Sequence, residues 1–147
     1  TDGEIHLVGS SMGGLVALHY AARYGANSLL LLAPLLGYQS LGMTHDVVRW
    51  WKSQGFIEID HYGFPGKLPL RYRFHQDASS YREMIPPSAP IRIIHGVQDT
   101  QVPVDDSRIY AEDFPEQVGL FEVDSDHSLA DQYDVIWEHI QEFIIKK

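Results

Sequence analysis

Three short segments carry residue types that together could activate a hydroxyl for attack on a carbonyl. Gly9-Ser10-Ser11-Met12-Gly13 presents a serine between two glycines. His95-Gly96-Val97-Gln98-Asp99-Thr100-Gln101-Val102-Pro103 presents an aspartate, and Asp124-Ser125-Asp126-His127-Ser128-Leu129 a histidine. A serine hydroxyl is a weak nucleophile until a base takes its proton, and that base needs an acid to orient it. Ser11, His127 and Asp99 are therefore the candidate nucleophile, base and acid. Presenting a serine at the tip of a sharp turn requires strained dihedrals, and glycine at 9 and 13 is expected to remove clashes two positions to either side. The amide of Met12, at the start of the helix that follows, is the candidate donor to a developing oxyanion.

Blander readings exist for each residue. Ser11 could sit in an ordinary glycine-rich turn or a phosphate loop, although no lysine follows at the spacing a phosphate loop uses. Asp124 and Asp126 flank His127 and either could replace Asp99, but such side chains more often stabilise their own turn. His6 and His95 lie in or beside core strands and read as hydrogen-bonded structural residues. His45-Asp46 and His75-Gln76-Asp77 lack a third partner at ligand spacing, so no metal or other cofactor is expected. Thr1 could act as an N-terminal nucleophile, a reading that leaves all three later motifs unexplained.

The elements that must hold these residues follow from hydrophobic patterning. Ile5-His6-Leu7-Val8 is a strand candidate, and the small, apolar segment from Met12 to Tyr24 predicts a closely packed helix, with Gly25 as a left-handed terminator. Ser28 to Ala33 is continuously apolar, which predicts a strand covered on both faces. Ile91 to His95 and Gly119 to Val123 are further strands. Helices are expected from about Val104 to Asp113 and from Gln132 to Ile145. Strand and helix thus alternate in the pattern of a parallel α/β sheet of about four strands, and the three candidate residues leave its strands at one edge, where open α/β folds carry their sites.

Residues 37–89 interrupt the rhythm. Asp46 to Lys52 predicts a short helix, and the alternating runs Phe56–His61 and Leu68–Phe74 predict a hairpin across a Gly/Pro-rich link. Trp50, Trp51, Tyr62, Phe64, Tyr72 and Phe74 could line an acyl or aromatic pocket, or form the insert's own small core.

With G-x-S-x-G, H-G-x-x-D-x-x-V-P and D-H-x-L in this order, the chain resembles the C-terminal part of an α/β-hydrolase-fold protein, close to the small bacterial esterases, thioesterases and acyl-peptidase-like hydrolases. The order Ser, Asp, His is that family's order. The resemblance implies one partial domain over residues 1–147 with a cap-like insert at 37–89, and a serine hydrolase acting on a small ester or thioester through an acyl-enzyme. A dehalogenase is disfavoured because that branch carries an aspartate where Ser11 stands. The family's sheet opens with about four strands before its nucleophile turn, and a loop among them supplies the second oxyanion donor; losing one donor costs about 10²–10³ in turnover. The first strand here is accordingly expected to have an open edge, covered by a missing N-terminal segment or by another chain in a homo-oligomer. The competing class is a catalytically incomplete hydrolase-like unit used for binding or assembly.

Composition narrows the partners. The chain has 147 residues, 44% of them hydrophobic and 21% charged, as in an ordinary globular domain. A net charge of -9 disfavours nucleic acid and anionic membrane and suits a small acyl substrate. The absence of cysteine fits a cytoplasmic setting.

Overall fold

A computed structural model describes residues 3–60 and 65–145. Its backbone is a parallel sheet of β1 (His6–Ser10), β2 (Ser28–Leu32), β5 (Ile91–Gly96) and β6 (Val118–Val123), side by side in that order. Between β1 and β2 runs α1 (Met12–Tyr24), and between β5 and β6 runs α4 (Asp105–Asp113). The chain closes with α5 (Tyr133–Ile140), continued by a π-helical turn, Gln141–Ile145.

The apolar run in β2 acts as expected of a strand covered twice. Leu29 and Leu31 join Ala17, Leu18 and Ala21 of α1, Ile91 and Ile93 of β5 and Tyr110 of α4 in one core. Leu30, one residue out of phase, faces the other side with Ile94, Leu129 and the α5-side residues Ile136, Ile140 and Ile144. The period of two along a strand sends neighbouring leucines to opposite layers, so a run without polar interruption requires helices on both faces. Val8, on the outermost strand β1, is half exposed. Among the described residues no helix is long and apolar enough to cross a membrane.

Between β2 and β5 lie a 3₁₀ turn (Tyr38–Leu41), α2 (His45–Gln54), the antiparallel hairpin of β3 (Phe56–Asp60) and β4 (Lys67–Arg71), and α3 (Tyr72–Ala78). Thr44 caps α2 by accepting from the Val47 amide, and Gly55 ends it in the left-handed region. The hairpin is present, but its second run stops at Arg71 and Tyr72–Ala78 is helical. Helical spacing brings Tyr72 and His75 onto one face against Trp51, with ring centroids 6.0 and 5.7 Å away. Trp51 is buried and donates its indole N–H to the Leu70 carbonyl at 2.9 Å. Trp51, Tyr72 and Tyr38 thus form the insert's own core, while Trp50 is exposed. Tyr62 and Phe64 lie outside the described residues.

Two further expectations are corrected. Gly25 has φ 84 and ψ 154, so it ends α1 with a positive φ but outside the left-handed helical region. The single helix expected over 132–145 is divided, and Arg92 bridges the junction by donating to His139 on one side and Glu142 on the other.

Candidate active site

Ser11 follows β1, Asp99 follows β5 and His127 follows β6, so parallel strands deliver all three to the C-terminal edge of one sheet. Ser11 has φ 53 and ψ -121, a conformation costing a non-glycine residue about 1–3 kcal/mol. Two hydrogen bonds hold it there: the Ser11 amide donates to Leu32 O and the Leu35 amide donates to Ser11 O, both at 2.9 Å. The chain leaving β2 therefore clamps the turn that follows β1.

The glycines around Ser11 differ from expectation. A Cβ on Gly9 would lie 2.7 Å from the Gly13 carbonyl carbon and closer still to its oxygen, so Gly9 is required. At Gly13 a Cβ would meet open space, whereas at Gly14 it would lie 2.6 Å from Pro34 Cβ. The second close approach is thus between α1 and the segment that leaves β2, one residue later than the motif implies. Gly13 contributes the backbone that makes Gly9 obligatory.

His127 stands between the other two residues. Its Nδ1 is 2.7 Å from Asp99 Oδ2 and its Nε2 is 3.0 Å from Ser11 Oγ. An ionised carboxylate only accepts, so the ring proton lies on Nδ1 and the Nε2 lone pair faces the serine hydroxyl. That arrangement can remove the hydroxyl proton. Asp99 is fully engaged: Oδ1 accepts from the amides of Gln101 and Val102 at 2.9 and 2.8 Å, and Oδ2 accepts from His127 and, at 3.2 Å, from His95 Nε2. Burial by itself raises the Asp99 pKa. The Val102 amide, the His127 hydrogen bond, the Gln101 amide and the His127 charge outweigh it and hold the carboxyl below the ordinary aspartate value.

The competing acids are occupied elsewhere. Asp124 accepts from Gln98 at 2.6 Å, and Asp126 accepts from the amide and hydroxyl of Ser128 within its own turn. His6 lies within hydrogen-bond distance of Ser28 and Glu4, and His75 of the Tyr38 hydroxyl, 3.1 Å away. His45 and Asp46 are exposed at the start of α2. Among the described residues no three acids or histidines converge as metal ligands. Met12 is the first residue of α1, where a helix amide has no partner within the helix. Thr1 lies outside the described residues.

Three motif residues have roles that the motifs themselves do not state. A Cβ on Gly96 would lie 2.6 Å from Asp126 O and nearer still to Ser125 O, so only glycine lets the His127 loop approach Asp99 this closely. Leu129 takes φ 50 although it is buried, anchoring the end of that loop between Leu30 and Ile94. His95 is buried against Asp99; its place in a strand-ending His-Gly pair was visible, but its partner was not. An apolar groove of about 350 Å³ starts at Met12 and runs between α1 and the insert, lined in part by Leu15, Val16, Tyr20, Phe74 and Tyr81.

Comparison with known proteins adds the following. Residues 1–144 match UPF0227, described as an uncharacterised protein family. No curated protein matches significantly. Among solved structures the chain is similar to a provisionally assigned hydrolase from Agrobacterium vitis S4, at 24% identity and TM-score 0.78 over 95% of this chain and 60% of that one. Mouse alpha/beta hydrolase domain-containing protein 10 is similar at 25% identity and TM-score 0.73, over 98% and 63%. Est1E from Butyrivibrio proteoclasticus is similar at 22% identity and TM-score 0.71, over 97% and 60%. The fold is that of the α/β hydrolases, and the chain spans about three fifths of the length of these relatives.

Proposed function

Because this chain belongs to the UPF0227 family and has an α/β-hydrolase fold, we propose that it is a serine hydrolase cleaving a small ester or thioester. The observation that carries this reading is His127, which bridges Asp99 and Ser11 at 2.7 and 3.0 Å; a carboxylate only accepts, which places the ring proton on the acid side. Ser11 Oγ attacks the substrate carbonyl as His127 Nε2 takes its proton. The carbonyl oxygen becomes an oxyanion stabilised by the Met12 amide at the positive end of α1. Collapse of the tetrahedral species expels the alkoxide or thiolate, which receives the proton from His127 and leaves Ser11 acylated. Water, deprotonated by the same imidazole, then releases the acid and restores the serine. The apolar groove beginning at Met12 supports an apolar acyl or aromatic group on the substrate.

This reading is tested with a fluorophosphonate probe, which reacts only with an activated serine. The folded wild-type chain should be labelled and Ser11→Ala should not; an unlabelled, folded wild type refutes turnover through Ser11.

The half-exposed Val8 on the outermost strand supports a second reading. A further segment or a second copy pairs along β1 and supplies the other oxyanion donor, and without it the unit binds or assembles rather than turning over. A monodisperse monomer that is nonetheless labelled would remove this alternative.

A further inference from the structure

Against Asp99 Oδ2, the same oxygen that meets His127, lies a second imidazole that the proposed reaction does not use. His95 is completely buried at the end of β5. Its Nε2 is 3.2 Å from Asp99 Oδ2 and 2.9 Å from the Val102 carbonyl, and its Nδ1 is 2.8 Å from the hydroxyl of Ser107, itself fully buried on α4. A carbonyl and a carboxylate only accept, so Nε2 carries a proton and donates to both. In the neutral ring, Nδ1 then accepts from the Ser107 hydroxyl. The arrangement closes on itself, since the Val102 amide donates to Asp99 Oδ1 while the Val102 carbonyl receives from His95. A buried polar ring costs several kcal/mol unless its hydrogen bonds are made. A mere core filler at this position would be better apolar.

We propose that His95, locked in orientation by Ser107, is a positioning residue for Asp99, fixing the carboxylate oxygen that orients His127. The inference deepens the hydrolase reading and rests on it for its kinetic consequence, but its geometric content is independent of turnover. Oδ2 receives two imidazole protons and Oδ1 two amide protons, so each carboxylate oxygen is held from two directions. Removing the His95 donor leaves Oδ2 held by His127 alone, so nothing fixes that oxygen independently of the imidazole it has to orient. The other charged groups facing this cluster are Glu122 on β6, engaged by Arg108, and Asp126, engaged by Ser128.

The test uses the whole chain with ring-labelled histidine. In the wild type, NMR should show a slowly exchanging His127 Nδ1 proton. His95→Phe keeps the ring's shape and removes the donor, and it should speed that exchange. It should also lower kcat about tenfold, the effect of losing one hydrogen bond to a charged group, with little change in KM. His95→Gln, which returns an N–H near the Nε2 position, should restore both. Ser107→Ala, a milder variant, should speed the exchange with the fold retained, and it decides the matter if His95→Phe does not fold. Unchanged His127 exchange in Ser107→Ala overturns the inference, and so does a folded His95→Phe of wild-type kcat. A wild type that shows the protected proton but takes no fluorophosphonate refutes the hydrolase reading instead and leaves the positioning role standing.

Discussion

Gly96 offers the sharpest test of how the site is assembled. In Gly96→Ala the new methyl lies 2.6 Å from Asp126 O and 2.8 Å from the Ser125 carbonyl carbon, with Ser125 O closer than either. All three atoms are backbone, so no side chain can rotate out of the way. Tolerable contact begins near 3.0 Å, so the loop must retreat by roughly half an ångström or more in an interior packed without slack. Ser125 O also accepts from the Gln98 amide at 3.0 Å, which ties the displaced segment to the turn bearing Asp99. His127 lies two residues beyond Ser125, and its hydrogen bonds to Asp99 and Ser11 are 2.7 and 3.0 Å. Lengthening both by such an amount carries the second past the useful range. Misplacement on this scale costs up to about 10²-fold in turnover, so kcat should fall by about 10- to 10²-fold, equivalent to about 1.4–2.7 kcal/mol of barrier. Overpacking should also destabilise the fold by about 1–3 kcal/mol. Turnover of a small chromogenic ester and urea unfolding measure the two effects separately. A Gly96→Ala chain with wild-type kcat and an unchanged unfolding midpoint would refute the argument that backbone approach at Gly96 positions His127.

Gly9 and Gly13 should respond oppositely: Gly9→Ala collides with the backbone at Gly13 and should abolish probe labelling, whereas Gly13→Ala meets open space and should leave unfolding unchanged or stabilise α1 by up to about 1 kcal/mol. Equal damage from both would show that the symmetric motif logic was right after all. Asp99 has a depressed pKa in the folded chain, so it contributes stability above its unfolded value of about 3.9 and loses it as pH falls through the lower folded value. Unfolding free energy should therefore drop on acidification below about pH 4, and Asp99→Asn, which cannot take part, should show a flatter acid limb in a urea-unfolding series. The same variant should lose about 10³–10⁴-fold in turnover because an amide reverses the His127 tautomer.

The sequence by itself determined the layers and the cast of candidate residues. A leucine run with no polar interruption in β2 is stable only between two helical layers, so the parallel sheet was readable from residues 28–33 before any contact was known. The three motifs were readable because each follows a strand in a parallel sheet, and parallel strands end at one edge. The close approaches could not be read, because they join residues far apart in the chain. Gly14 is confined by Pro34, Gly96 by Ser125 and Asp126, and Asp99 by His127, and no local periodicity encodes them. The run Leu68–Phe74 shows the same limit. Alternation was a fair guide up to Arg71, but the chance to pack Tyr72 and His75 on buried Trp51 turned the remainder into a helix. Local pattern sets what each segment can be, whereas the packing of distant segments decides which glycine is obligatory and which histidine reaches the acid.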